Sequence, residues 1–186
     1  MMNIRVVVSE YGGPETLKTM EEPLRLPQRD EVRVRMQSAG VALADIMRRE
    51  GKYPGSPPTP FTPGYDVVGI VDDLGANVLH VQKGDRVAVF YNGTGGYSAY
   101  VYAKPDELYP VPMQIDAAAA VAIILNYVTA YQMLHRLANV SEGEHILIHG
   151  AARAWSACGC RNVWHRFSGK ARRRHPIWGG AYRLQE

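Results

Sequence analysis

Along residues 32–37, apolar and polar side chains alternate: Val32, Val34 and Met36 take one parity, and Arg33, Arg35 and Gln37 take the other. A period of two predicts a strand with one buried face. Short β-branched or aromatic runs at Ile4–Val8, Val67–Val71, Arg86–Phe90 and Tyr97–Ala103 predict further strands. Turn signals separate them, among them Tyr11-Gly12-Gly13-Pro14 and Lys83-Gly84-Asp85. Leu43–Glu50 predicts one or two helical turns stopped by Gly51. Tyr53–Pro63 holds five prolines and predicts a loop, because proline lacks the amide donor a ladder needs. Short strands at this spacing predict a barrel or a sandwich.

The pattern changes near residue 116. Asp116 predicts a cap on a helix through the alanines that follow. Tyr127, Ala130, Tyr131, Leu134 and Leu137 then fall on one helical face. The apolar strand His145–His149 ends in Gly150-Ala151-Ala152. A helix, a buried strand and then small residues is how a nucleotide-binding βαβ unit opens. The division predicted is therefore residues 1–115, mostly β; 116–152, the start of an α/β domain; and 153–186, an irregular tail.

Charge sharpens that last boundary. From Arg153 onward, seven Arg and one Lys face Glu186 alone, a balance of +7, which leaves −4 for the first 152 residues of a chain with net charge +3. All three Trp also lie in the tail. The longest apolar run, Ala117 to Leu125, is too short to span a bilayer, so no membrane association is expected. Met1 opens no basic, apolar leader. The two cysteines, Cys158 and Cys160, form no disulfide framework, which predicts a reducing cytoplasm.

Six stretches, standing in one order, resemble the medium-chain dehydrogenase/reductase superfamily. They are residues 38–54, 60–78, 81–90, 95–101, 125–136 and 146–152. The resemblance implies a GroES-like β-barrel domain followed by a Rossmann domain, with NADPH between them. Zinc-dependent members hold their catalytic metal with Cys, His and Cys, and the matching positions here are Ala42, Tyr65 and Leu125. None of these ligates zinc. The sequence is thus similar to the zinc-free branch, which reduces quinones or enones by hydride transfer from NADPH, and no metal site is expected.

In that branch an aromatic residue matching Tyr53 lines the cleft, which makes Tyr53 the candidate catalytic residue; read from its Pro-rich setting alone, it is equally a loop-packing ring. Tyr91 and Asn92 join it as substrate-pocket candidates. The resemblance also implies cofactor-binding roles for Thr129, Asn126, Asp45, Gly150 and Ala151. Asp45 and Arg48 match a polar pair near the cofactor, although a solvated ion pair fits the same residues. A quinone or enone is the implied partner.

The family continues after this point with a glycine fingerprint that lets backbone approach a pyrophosphate. Here the chain reads Arg153-Ala154-Trp155 instead. Read one nucleotide later, Trp164 and Trp178 must both become Gly, and residues 162–167 allow Met-Tyr-Gly-Thr-Ala-Ser, which resembles the family's second Rossmann strand. These features predict a frame change after Ala152, a truncated and impaired enzyme, a disordered tail, and loss of the family's homodimer contact. Two non-enzymatic alternatives stand beside this reading. One is a stand-alone GroES-like binding domain. The other is a basic tail for nucleic acid or an acidic partner, although nucleic acid is not expected, because no recognition fold accompanies the arginines.

Overall fold

The computed structural model describes residues 1–141, 146–149, 163–167, 170–172 and 181–183. The chain divides into two compact units, Met1–Leu125 and Asn126–Glu186.

In the first unit, the alternation in residues 32–37 becomes β3 (Val32–Ala39). It lies inside a five-stranded antiparallel sheet of order β6-β3-β4-β5-β7, with β4 at Asp66–Leu74, β5 at Arg86–Phe90, β6 at Tyr100–Ala103 and β7 at Leu108–Pro110. Val32, Val34, Val67, Val71, Val87, Val89, Val101 and Ala103 meet on one face as the main core. Val68, Ala88, Ala120 and Val121 form a smaller core on the other face, where the helix α2 (Ala117–Ala122) packs. Branched side chains at alternate positions fill a pleated surface well, which is why valine dominates here.

A hairpin of β1 (Met2–Val8) and β2 (Leu17–Pro23) stands beside this sheet. Bridges from Arg5 to Ser98 and from Val8 to Phe61 tie the two together. The expected helical turns form α1 (Leu43–Arg49). Gly69 lies mid-strand in β4, opposite Met36 and next to a register shift in β3. A Cβ at Gly69 would press into the Arg35 carbonyl oxygen, so the missing side chain is what allows the two backbones to approach.

Asp116 caps α2 as expected, its carboxylate accepting from the Ala119 amide at 2.9 Å. Beyond α2, α-helix gives way to π-type turns at Ile123–Tyr127 and again at Met133–Leu137, with α3 (Val128–Gln132) between them. The expected apolar face is therefore only partly realised: Leu134 is buried, whereas Tyr131 and Leu137 are exposed. A wider helical turn shifts each later residue around the axis, so a 3.6-residue spacing no longer stacks side chains in one stripe. The stretch 117–137 is also 21 residues long and apolar enough, by length and composition, to cross a bilayer. The estimate from the unbroken apolar run 117–125 was too short because it ended at Asn126, which the helix simply continues through.

In the second unit, β8 (Ile146–His149) pairs in parallel with β9 (Val163–Phe167), in a sheet of order β10-β9-β8-β11. Where the sequence predicts irregular chain after residue 152, the described pieces are short strands: β9, β10 (Lys170–Arg172) and β11 (Ala181–Arg183). Val163, Trp164 and Phe167 have high strand propensity, which operates without strict alternation.

Gly69→Ala is expected to destabilise the chain by about 2 kcal/mol, the usual scale of a forced overpacking. Urea unfolding of the full chain measures this, and an unchanged midpoint would contradict the close approach.

Candidate functional site

Four segments of the first unit converge around the start of α1: the corner after β3, the Pro-rich loop, the start of β4 and the Gly-rich turn after β5. Asp45, in the first turn of α1, is buried. Its carboxylate accepts from the Ala42 amide at 2.9 Å and from the Gly64 amide at 3.0 Å. The Tyr97 hydroxyl, which donates to the Gly40 carbonyl at 3.2 Å, lies close enough to favour the charged form as well. Burial pushes the Asp45 pKa above the usual carboxylate value, and these donors act against that rise.

One turn later, Arg48 is buried as well. Its Nε donates to the Tyr65 phenolic oxygen at 2.8 Å, and Nη1 donates to the Gly55 carbonyl at 3.2 Å. The guanidinium carbon stands 4.7 Å from the centre of the Tyr53 ring and 5.3 Å from that of Tyr65. Within this range a guanidinium is attracted to the negative face of an aromatic ring. Gly93, at φ +89°, approaches from the other side, and a Cβ there would lie 2.5 Å from Arg48 Nε. Burial raises the Tyr65 pKa, opposed by Arg48 and reinforced by the neighbouring Tyr53, so the phenol keeps its proton.

Asp66 follows Tyr65 and is almost fully buried. Its pKa rises to about 6, first because of burial and then because of the nearby Asp45 charge; the Leu125 amide works in the opposite direction. One of its oxygens, Oδ2, has no hydrogen-bond partner among the described residues. Burial likewise raises the pKa of Tyr97, strengthened by Asp45.

The structure thus brings Tyr53, Asp45 and Arg48 together and adds Tyr65, Asp66 and Tyr97. Tyr91 takes a different direction. Its ring packs against the valine core, its hydroxyl donates to the Tyr102 carbonyl at 2.9 Å, and burial raises its pKa. Asn92 is exposed next to Gly93. Asn126 and Thr129 are exposed positions of the second unit. Gly150 and Ala151, with Cys158 and Cys160, lie outside the described residues. The positions that match the zinc ligands offer no donor set: Ala42 precedes α1, Tyr65 is bound by Arg48, and Leu125 contributes only its amide, to Asp66. Zinc therefore does not fit these residues. The role of Tyr65 was not visible in the sequence, which showed only that a ligand was missing there.

The raised pKa of Asp66 has a definite consequence for stability. The folded group holds its proton up to about pH 6, whereas the unfolded group, at its ordinary value of 3.8, has already lost it. Between these values the folded state binds more protons, so stability falls as pH rises through that window and stays low above it. The difference is worth about 3 kcal/mol at neutral pH. Asp66→Asn is expected to remove this part of the slope when urea unfolding is followed from pH 4 to pH 7; an unchanged slope would mean that Asp66 titrates normally.

Comparison with known proteins agrees with this architecture. Residues 28–113 match the family described as the alcohol dehydrogenase GroES-like domain. The chain is 36% identical over 155 residues to the quinone oxidoreductase of Lama guanicoe, covering 83% of this chain and 47% of that one. It is 35% identical over 157 residues to the quinone oxidoreductase of Homo sapiens, covering 84% and 48%. The chain spans about half the length of the curated relatives it matches. Among solved structures, the human synaptic vesicle membrane protein VAT-1 homolog-like protein superposes with a TM-score of 0.79 at 32% identity, over 89% of this chain and 55% of that one. The Escherichia coli quinone oxidoreductase, solved in complex with NADPH, gives 0.71 at 30% identity, over 78% and 44%. Over about 83% of its length, the chain belongs to the medium-chain dehydrogenase/reductase superfamily and is quinone oxidoreductase-like, an oxidoreductase family.

Proposed function

We propose that this chain carries the substrate side of a zinc-independent reductase that passes hydride from NADPH to a quinone or enone. The observation that carries the reading is the hydrogen bond from Arg48 to Tyr65, at the position where zinc-dependent relatives have a metal ligand. NADPH, when bound, supplies the hydride. The accepting carbonyl oxygen gains negative charge, and without a Lewis acid a hydrogen-bond donor has to stabilise it. Tyr65 accepts from a cation and keeps its own proton, which makes its hydroxyl a stronger donor. Tyr53, leaning on the same guanidinium as Tyr65, orients the ring of the substrate. Asp45 acts at a distance by fixing the loop at Gly64.

Asn126 and Thr129, exposed polar side chains, are our candidates for contacts to the nicotinamide, and Gly150 and Ala151 for the approach to the pyrophosphate. The parallel pairing of β8 with β9 supports a Rossmann start at this point. We place the protein in the reducing cytoplasm and assign Arg153–Glu186 to a shifted reading frame, which leaves the chain without a phosphate-binding turn. A second reading, a non-enzymatic binding module, draws support from the main valine core, which lies wholly within Met1–Leu125.

Two preparations test the proposal: the chain as it stands, and a version whose frame is restored after Ala152. The first is expected to oxidise NADPH with 1,4-naphthoquinone far more slowly than about 1 s⁻¹, and the second at ordinary enzymatic rates. In the restored protein, Tyr65→Phe is expected to lower kcat by about a hundredfold, the scale of one lost oxyanion donor. A restored protein that folds but leaves NADPH unoxidised would favour the binding module.

A further inference from the structure

The turn at residues 11–14 is distant from Tyr53 in sequence but meets the loop that carries it. The Tyr11 hydroxyl donates to the Pro57 carbonyl at 2.6 Å. Its ring lies on Gly51, where a Cβ would stand 2.9 Å from Tyr11 Cγ. Gly51, at φ +69°, follows the end of α1. Gly12 completes the junction: its amide donates to the Arg49 carbonyl at 3.1 Å, and its carbonyl accepts from Arg49 Nε at 3.1 Å. One short turn therefore grips both the end of α1 and the Pro-rich loop.

Two features make this contact a brace. The turn itself is fixed: the Ser9 amide donates to the Thr16 carbonyl at 3.0 Å, the Thr16 hydroxyl donates to the Gly13 carbonyl at 2.9 Å, and Thr16 is buried. The loop, by contrast, has few means of holding itself, because Pro54, Pro57, Pro58 and Pro60 carry no amide proton. From Pro54 to Pro60, hydrogen bonds from outside the loop arrive, among the described residues, from Arg48 at Gly55 and from Tyr11 at Pro57. The Tyr53 carbonyl accepts from the Ser56 amide at 3.0 Å and from its hydroxyl at 2.6 Å. Residues 53–56 thus close on themselves, and a bond that fixes the adjoining Pro57 also fixes Tyr53.

We propose that Tyr11 is a positioning residue for the substrate side of the site: through Pro57 and Gly51 it holds the Tyr53 loop against Arg48. The inference rests on the role given above to Tyr53, which orients the acceptor ring. Tyr11 touches no reacting atom in this arrangement. It acts by keeping Tyr53 stacked on the guanidinium, 4.7 Å from its carbon, so that the ring-binding surface is formed before the substrate arrives. Tyr11 suits the task because its ring packs on bare backbone while its hydroxyl still reaches an acceptor.

Tyr11→Phe keeps the ring on Gly51 and removes only the hydroxyl. Amide hydrogen exchange, followed by NMR on the isotope-labelled full chain, reads the loop directly. The Tyr53 amide, bonded to the Met47 carbonyl, and the Ser56 amide are expected to exchange about fivefold faster in the variant, the scale of one net hydrogen bond. Val34 and Val68, in the sheet, are expected to keep their rates. In the frame-restored protein the same variant should raise KM for 1,4-naphthoquinone by about fivefold, with kcat within about twofold. Unchanged loop exchange, equal acceleration of loop and sheet, or a fall in kcat at unchanged KM would each overturn the proposal. A restored protein that leaves NADPH unoxidised would instead sink the reductase reading, and the exchange rates alone would then decide whether Tyr11 positions Tyr53.

Discussion

One carboxylate sets the geometry on which the candidate site rests. Asp45 ties the corner after β3, through Ala42, to the start of β4, through Gly64. Ala42 is a local partner at the start of the helix and Gly64 a distant one, so the carboxylate joins a helix cap to a tertiary contact. Burying a carboxylate is costly unless its oxygens are bonded, and the two amide donors, one to each oxygen, are what make the arrangement tolerable. Everything that follows on α1, including Arg48 one turn later, inherits its position from this anchor.

Arg48 then does for the loop what Asp45 does for the corner. It reaches the Gly55 carbonyl in the Pro-rich loop and the Tyr65 phenol beside β4, and Tyr53 leans on its plane. A guanidinium suits this task because its donors point in fixed, divergent directions while its faces accept rings. The bare backbone of Gly93 provides the space, since any side chain there would occupy the position of the guanidinium. A residue with no chemistry of its own thereby decides whether the cation can be buried.

These roles were unequally legible in the sequence. The period-two run through Val32 and Val34 announced β3 and the core, because a half-buried strand leaves that signature whenever one face is dry. β2 carried no such mark: its residues are almost all exposed, so the chain gives no apolar parity to read. β7 is three residues long, two of them exposed, and is too short for any period. In the helical stretch the residues were right, but the face was not, because π-type turns change the angular step between them. Tyr53 was found by resemblance. Tyr65 registered only as a missing ligand, and its bond to Arg48, seventeen positions earlier, depends on the fold of the chain between them.

The electrostatics around Tyr65 suit the hydrogen-bond chemistry proposed for this site. Burial raises the pKa of Tyr65 and Tyr97, so both phenols carry their protons at neutral pH. The same burial, with the charge of Asp45, raises Asp66 to about 6, close enough to neutrality to hold a proton part of the time. Buried surroundings that favour neutral groups suit hydroxyl donors, whose bonds strengthen as water leaves. Arg48 donates to Tyr65, and in the proposed reduction its charge would reach a bound carbonyl through the phenol it polarises. The position of Tyr65 thus depends on more than one side chain: the buried cation bonded to its hydroxyl, the bonded acid that anchors the helix of that cation, and the glycine that leaves it room.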